Sequence, residues 1–138
     1  MIKKLLSVVL LMMFFYNAFG QNYPCAENFS ITTKTLNVSN SNIPESLIYW
    51  DFSKSSNNTS LVLELEIQTL NNCWDGLNGT NRSEIIIHKI NNLKEASSGE
   101  LVLTIEDLNA KCYKWRTKIV NISTNCESFT NWEFFSFL

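Results

Sequence analysis

Apolar and cationic side chains alternate along residues 112–120 of this chain. One parity carries Tyr113, Trp115, Thr117 and Ile119, and the other carries Lys114, Arg116 and Lys118. An alternation with a period of two residues predicts a β-strand with one buried face. Two aromatic rings on that face need a second layer to pack against, so the pattern predicts two facing β-sheets.

Six further segments have the short apolar or alternating runs of strands. They cover residues 29–38, 46–52, 61–69, 84–90, 101–105 and 130–138. The intervening stretches are polar or contain turn formers such as Asp-Gly and Asn-Gly, and no segment after residue 20 keeps a helical period over ten residues. This spacing predicts an all-β fold, a seven-stranded immunoglobulin-like β-sandwich.

Two of these strands carry further detail. The apolar parity changes within 29–38, which predicts a bulge or a strand that switches sheets. In 61–69 the polar parity is Glu64, Glu66 and Gln68. We expect these side chains to lie opposite the three cations of 112–120 on an antiparallel neighbour, where each exposed pair contributes only tenths of a kcal/mol and helps to set the register.

Residues 1–20 have the pattern of a secretory signal peptide. Lys3 and Lys4 precede an apolar run over 5–16, and Ala18-Phe19-Gly20 predicts cleavage before Gln21. The alternatives are an uncleaved anchor, for which the run is short, and a lipoprotein, for which the residues before Cys25 are unsuitable. We therefore expect one domain over 21–138 without a membrane span, located outside the cell, in the periplasm or at the cell surface.

Charge and glycosylation motifs add little to the function. Without Lys3 and Lys4, the 11 basic and 13 acidic residues leave an excess of four acidic side chains, and no basic patch remains for a nucleic acid. Sequons would carry glycans in a eukaryotic secretory pathway and would mean nothing in a bacterium, and the sequence does not decide the source. They begin at Asn28, Asn37, Asn57, Asn58, Asn78, Asn81 and Asn121.

All four cysteines follow the predicted signal peptide: Cys25, Cys73, Cys112 and Cys126. An even number in an exported chain predicts two disulfides, and the alternative is free buried thiols. A zinc site is disfavoured because no two cysteines have C-x₂-C spacing and the single histidine, His88, is distant in sequence.

The order of motifs resembles a fibronectin type III domain, similar to those of secreted Bacteroidetes proteins. The motifs are Ile48-Tyr49-Trp50-Asp51, Leu108 followed by Tyr113 and Trp115-Arg116, Asn121, Cys126-Glu127-Ser128 and Phe135-Ser136-Phe137. The resemblance covers about residues 31–137. The spacing from Leu108 to Tyr113 is one residue shorter than usual, Thr117 replaces an aliphatic residue, and two disulfides are not general in the family.

This resemblance has two implications. The family's topology places the end of the third strand beside the start of the sixth, which implies a Cys73–Cys112 disulfide. It also places the N-terminus and the loop between the sixth and seventh strands at one pole, which implies a Cys25–Cys126 disulfide.

The residues themselves give no catalytic constellation. His88 has no second histidine to work with, and Cys112 as a nucleophile would need a basic partner. Glu64 and Glu66 lie about 7 Å apart along one strand face, which approaches a glycosidase separation, but a solvated strand face explains them better. The loop 75–81 is rich in oxygen ligands but departs from the calcium-loop pattern at Leu77 and Gly79. We predict no cofactor and no metal.

The loop around Trp74 is the candidate binding site. A loop on a rigid sandwich often carries recognition, and an exposed Trp74 could anchor a protein or stack on a sugar ring, with Asp75 and Asn78 beside it. The alternative is that Trp74 folds over the neighbouring disulfide. We therefore predict a non-catalytic exported module for protein contact or adhesion, or alternatively a carbohydrate-binding module that uses Trp74.

Overall fold

The structure, a computed structural model, describes residues 25–36 and 44–138. Within these ranges the chain is all-β apart from one short α-helix and two single 3₁₀ turns. The elements are β1 Ser30–Leu36, β2 Glu45–Asp51, β3 Leu61–Thr69, β4 Ile86–Ile90, β5 Ser98–Leu103, α1 Ile105–Leu108, β6 Cys112–Asn121, β7 Cys126–Phe129 and β8 Glu133–Ser136.

The strands form two antiparallel sheets. One sheet has the order β1-β2-β5, and the other has the order β4-β3-β6-β7 with β8 also paired to β6. Inward side chains of both sheets enter one apolar cluster, which includes Ile48 and Trp50 from the first sheet and Leu63, Leu65 and Tyr113 from the second. The predicted all-β, two-layer architecture is confirmed.

Strand β6 lies at the centre of this arrangement, as its alternation predicts. The four side chains of its apolar parity are all buried, with exposures of 0% for Tyr113, Thr117 and Ile119 and 2% for Trp115. Its cations pair across the sheet with β3 in the predicted order: Lys118 opposite Glu64, Arg116 opposite Glu66 and Lys114 opposite Gln68. The hydrophobic pattern therefore fixes both the face and the register of these two strands.

The last predicted strand, 130–138, is wrong in its bounds. Only residues 133–136 of that range form a strand, β8, and a further strand, β7, precedes the range, so the described residues form eight strands rather than the predicted seven. Strands β7 and β8 pair with opposite halves of the long strand β6. The ladder is interrupted between them because the Thr130 side chain accepts the main-chain N–H of Thr117 at 2.9 Å. Residues 126–129, which were predicted as a turn, are β7, and the turn is confined to 122–125.

The region after β5 also differs from the prediction. Ile105 was assigned to the fifth strand, but it begins helix α1. The Thr104 hydroxyl accepts the Asp107 N–H at 3.0 Å, and the Asp107 carboxylate accepts the Thr104 N–H at 3.2 Å. This reciprocal capping box stabilises a single helical turn and brings Leu108 into the core.

The first strand is described only in part, and the fourth is shorter than expected. Strand β1 ends at Leu36, which is 37% exposed, and Val38, where the change of parity was expected to continue, lies outside the described residues. Strand β4 begins at Ile86 rather than at Glu84.

Close packing between β2 and β5 depends on a glycine. Trp50 lies directly across from Gly99, and a Cβ atom at residue 99 would lie 2.3 Å from the Trp50 ring. The indole N–H of Trp50 donates to the Ala96 carbonyl at 3.2 Å. The glycine thus makes room for the large ring in the core.

The predicted signal peptide, residues 1–20, lies outside the described residues. Among the residues that are described, no helix has the length and apolarity needed to cross a bilayer.

Candidate functional site

The connection between β3 and β4 forms a closed loop, which we call the Trp74 loop (residues 71–81). Its two ends are held together, because Leu70 and Asn81 form a β-bridge and the Asn71 N–H donates to the Thr80 carbonyl at 2.9 Å. The Arg82 N–H also donates to the Thr69 carbonyl at 2.8 Å. The loop therefore starts and ends at a fixed position on the edge of the sheet.

Asn72 organises the interior of the Trp74 loop. Its side-chain oxygen accepts the Trp74 N–H at 3.0 Å, and its side-chain nitrogen donates to the Asp75 carboxylate at 2.6 Å. Gly76 has a φ of 55°, a conformation that glycine adopts without strain. A Cβ at Gly79 would lie 2.4 Å from the Asn72 carbonyl oxygen, so the two ends of this turn approach closely. These contacts give the loop a defined backbone.

A disulfide between Cys73 and Cys112 joins the Trp74 loop to the start of β6. Cys112 is fully buried, and its carbonyl accepts the Leu70 N–H at 3.1 Å. The second disulfide joins Cys25 and Cys126, at the start of the described chain and the start of β7. Both pairs are those that the resemblance implies, and the first one holds the residue before Trp74.

Trp74 itself projects from this loop into solvent, with 96% of its surface exposed. The alternative in which Trp74 folds over the Cys73–Cys112 disulfide does not hold. Leu77, on the 3₁₀ turn Gly76–Asn78 of the same loop, is 44% exposed. The loop therefore presents one large aromatic and one aliphatic side chain from a fixed backbone.

The two polar candidate residues lie in the same loop. Asp75 and Asn78 are both exposed, and the Asn78 N–H donates to the Asp75 carbonyl at 3.0 Å. The Asp75 carboxylate is already engaged by Asn72, so it supports the loop as well as facing solvent. All three predicted binding residues thus belong to one short turn.

Glu64 and Glu66, the two carboxylates considered for catalysis, have structural partners. Glu66 receives the Arg116 Nε–H at 2.6 Å, and Glu64 lies 3.3 Å from the Lys89 ammonium and 3.8 Å from that of Lys118. Both carboxylates are therefore engaged in ion pairs across the sheet, and Glu66 is buried at 7% exposure, so the expectation of a solvated strand face is wrong for this residue. His88 is exposed on β4, and in residues 25–36 and 44–138 no group of three or more acidic, histidine or cysteine side chains could hold a metal ion.

Asp51 follows Trp50 and caps a turn. Its carboxylate accepts the Ser53 N–H at 2.8 Å, and this hydrogen bonding to Ser53 lowers the pKa of the Asp51 carboxyl. The residue stabilises the start of the β2–β3 connection.

The outer face of the larger sheet carries a cluster that the sequence did not reveal. The Arg116 guanidinium lies between two rings, with its Cζ atom 4.4 Å from the Phe129 centroid and 4.5 Å from the Trp132 centroid. The alternation in 112–120 places Arg116 on this face, but the rings come from β7 and from the interruption after it. A prediction of β7 as a strand would have been needed to find the contact.

No protein-family model, curated protein or solved structure matches this chain.

Proposed function

We propose that this chain is a non-catalytic, exported interaction module that binds a protein partner through the Trp74 loop. The observation that carries the proposal is the 96% exposure of Trp74 on a loop fixed by a disulfide and by the Asn72 hydrogen bonds. A large aromatic side chain of this kind is the commonest energetic anchor of protein interfaces.

The energetic potential of Trp74 is considerable. A tryptophan buries roughly 150–250 Å² in an interface, which at about 25 cal/mol per Å² corresponds to roughly 4–6 kcal/mol before the costs of association. Those costs are reduced where the backbone is already ordered. Hydrogen bonds within the Trp74 loop and its disulfide supply that order, so little loop entropy would be lost on binding.

A fibronectin type III-like fold is the assignment that we propose for the sandwich. It is supported by Trp50 in the second strand, by Leu108 at the end of the turn before β6, and by Tyr113 at the start of that strand, all of them buried. The Tyr113 hydroxyl bonds to Ser46 on β2 rather than to nearby main chain, which is a departure from the tyrosine corner of immunoglobulin-like domains.

Export is supported by two independent features. Both disulfides require an oxidising compartment to form and persist, and the pattern of residues 1–20 is that of a cleaved leader. The partner is therefore expected at the cell surface, in the periplasm or outside the cell.

Glycan binding is the second candidate function, favoured by the polar groups around the exposed ring. Asp75 and Asn78 offer a carboxylate and an amide within four residues of Trp74, and sugars are recognised by ring stacking combined with hydrogen bonds. Asn78→Ala, which leaves the Asn72–Asp75 hydrogen bond in place, would weaken a glycan strongly. The same change would affect a protein anchored by Trp74 and Leu77 much less.

The test compares wild type with Trp74→Ala on a glycan array and on arrayed extracellular proteins. We expect at least about a tenfold loss of affinity for the true ligand class, because a hot-spot tryptophan contributes 2 kcal/mol or more. Ile122→Ala, which alters another exposed side chain at 67% exposure, is the matched control and should bind like wild type. Unchanged binding by Trp74→Ala to every ligand of the wild type would refute the site.

The stability of Trp74→Ala should stay within about 0.5 kcal/mol of wild type, as for other exposed side chains. A loss of binding in this variant can therefore be separated from unfolding by measuring its urea midpoint.

A further inference from the structure

Strand β4 forms an outer edge of the five-stranded sheet. It pairs with β3 on one side, and no strand among residues 25–36 and 44–138 pairs with it on the other. Three consecutive isoleucines, one just before β4 and two at its start, are exposed: Ile85 at 40%, Ile86 at 45% and Ile87 at 56%. Edge strands usually discourage pairing with another chain through lysine, proline or a bulge. Here the apolar part of the edge carries none of these, since Lys89 lies two residues beyond Ile87.

The sequence at this edge is close to symmetric about Ile86. It reads Glu84-Ile85-Ile86-Ile87-His88, with a carboxylate at one end and an imidazole at the other. An antiparallel pairing of two copies around a two-fold axis at Ile86 would place Ile85 opposite the second copy's Ile87, and Glu84 opposite its His88. Each of these pairs would occur twice, because the axis exchanges the copies.

The faces of the sheet agree with this register. Ile87 lies opposite Glu66 on the outer face, whereas Ile86 and His88 lie opposite Ile67 and Leu65 on the inner face. A two-fold axis perpendicular to the sheet pairs residues of the same face only, as the register centred on Ile86 does. Isoleucine would meet isoleucine on the outer face, and on the inner face the His88 ring N–H would donate to the Glu84 carboxylate.

Neighbouring registers are poorer. An axis at Ile87 would place Lys89 opposite Ile85 and would leave Glu84 opposite Ile90. An axis at His88 would place Lys89 opposite Ile87. Both set a charged side chain against an isoleucine, so the register at Ile86 is the one that matches apolar with apolar and donor with acceptor.

We propose that residues 84–88, which are the start of β4 and the two residues before it, pair with the same residues of a second copy of this chain and form a dimer with a continuous ten-stranded sheet. The occupant is a second copy rather than an unrelated strand because the edge is complementary to itself in both its apolar and its polar positions. A partner that carries two binding sites for the Trp74 loop would then bind one dimer with increased avidity, provided that its sites match the spacing of the two loops.

The test is analytical ultracentrifugation of the mature chain over a wide range of concentration. Wild type is expected to show a concentration-dependent dimer, and Ile87→Lys is expected to raise the dimer dissociation constant at least about tenfold, because the substitution acts twice in a symmetric interface. Ile87 lies on the outer face opposite Glu66, so the added lysine leaves the core intact. Ile122→Lys, in the exposed turn between β6 and β7, is the matched control and should dimerise like wild type.

A charge swap tests the register itself. Glu84→His alone would place two imidazoles opposite each other, and His88→Glu alone would place two carboxylates opposite each other, so each should weaken the dimer. The double variant restores a donor and an acceptor in both pairs and should recover the wild-type dissociation constant. A monomeric wild type, an undiminished dimer in Ile87→Lys, or a double variant no better than the singles would overturn the proposal. Trp74→Ala should dimerise normally, so failure here is distinct from failure of the Trp74 site.

Discussion

Tyr113 shows how one buried polar group ties the two sheets together. Its side chain is fully buried on β6, and its hydroxyl bonds to the hydroxyl of Ser46, itself fully buried on β2. Burial raises the pKa of the Tyr113 phenol to about 12, since the charged phenolate is disfavoured in the core. The phenol therefore remains a neutral member of the pair throughout the physiological range.

This pKa makes stability depend on alkaline pH. The folded state holds its proton up to about pH 12, whereas the unfolded chain releases it near pH 10.0. Tyr113 therefore makes its full contribution to the free energy of unfolding below pH 10. As the pH rises from 10 toward 12 this contribution is lost, and the free energy of unfolding falls by roughly 2–3 kcal/mol at most. Tyr113→Phe lacks this titration, so its stability deficit relative to wild type should shrink over that range in urea titrations.

Ser46→Ala is the control for the lost hydrogen bond. It removes the same contact but keeps the phenol, so it should lose stability above pH 10 as wild type does. An equal pH dependence of Tyr113→Phe and wild type would contradict the assignment of the alkaline loss to Tyr113.

At the scale of elements, β3 and β6 are joined by charges as well as by the core. The Arg116 side chain is 27% exposed and the Glu66 side chain 10%, so this pair is better shielded from solvent than an ordinary surface pair. The guanidinium also stacks between Phe129 and Trp132, and it thereby connects β6 to β7 and to the interruption before β8. One side chain thus links three successive segments of the sheet.

Arg116→Lys should therefore lower the free energy of unfolding, although the substitution keeps the positive charge. A lysine has no Nε–H to donate to Glu66 and no planar group to stack between the two rings, so we expect a loss of about 1–2 kcal/mol in the free energy of unfolding. The reference is Lys118→Arg, which exchanges the same residue types in reverse on the same face and should lie within about 0.5 kcal/mol of wild type. Two variants with equal denaturation midpoints would show that the stack contributes nothing.

The elements that the sequence predicts correctly are those with a long hydrophobic period. Strands β2, β3 and β6 were predictable because large apolar side chains recur at every second position along seven to ten residues of sequence. Strands β7 and β8 have four residues each, too few to establish a period, and the interruption between them depends on a tertiary contact between Thr117 and Thr130. Helix α1 could have been found, since Thr104 and Asp107 have capping-box spacing, but a single turn gives no helical period.

At the scale of the whole molecule, the residues of the candidate site could be predicted from the sequence, but the exposure of the Trp74 side chain could not. Turn formers and a tryptophan between two strands indicate a loop that could bind, and they leave open whether the ring covers the disulfide. That choice depends on the Asn72 contacts and on the close approach at Gly79, which are set by the folded loop.

The open edge of β4 could not be predicted from the sequence either, because the edge position of a strand follows from the order of strands in the sheet and not from its own residues.

The two disulfides are expected to have separable roles. They close stretches of 101 and 39 residues, and in the chain-entropy model their removal costs up to about 5 kcal/mol for Cys25–Cys126 and about 4 kcal/mol for Cys73–Cys112. The costs are similar, but only the second bridge holds the Trp74 loop. Paired alanine variants of each disulfide should therefore lose comparable stability and differ in local order.

Amide hydrogen exchange at a temperature where both variants remain folded measures that difference. Loss of Cys73–Cys112 should speed exchange selectively within 71–81, since local opening of the loop no longer requires opening of β6, whereas loss of Cys25–Cys126 should leave those amides protected. Binding through Trp74 should weaken in the first variant and persist in the second, at equal folded fraction, because a loosened loop loses more entropy when it is captured. Equal exchange within 71–81 in both variants would mean that the hydrogen bonds of Asn72 alone hold the loop, and that the disulfide stabilises only the sandwich.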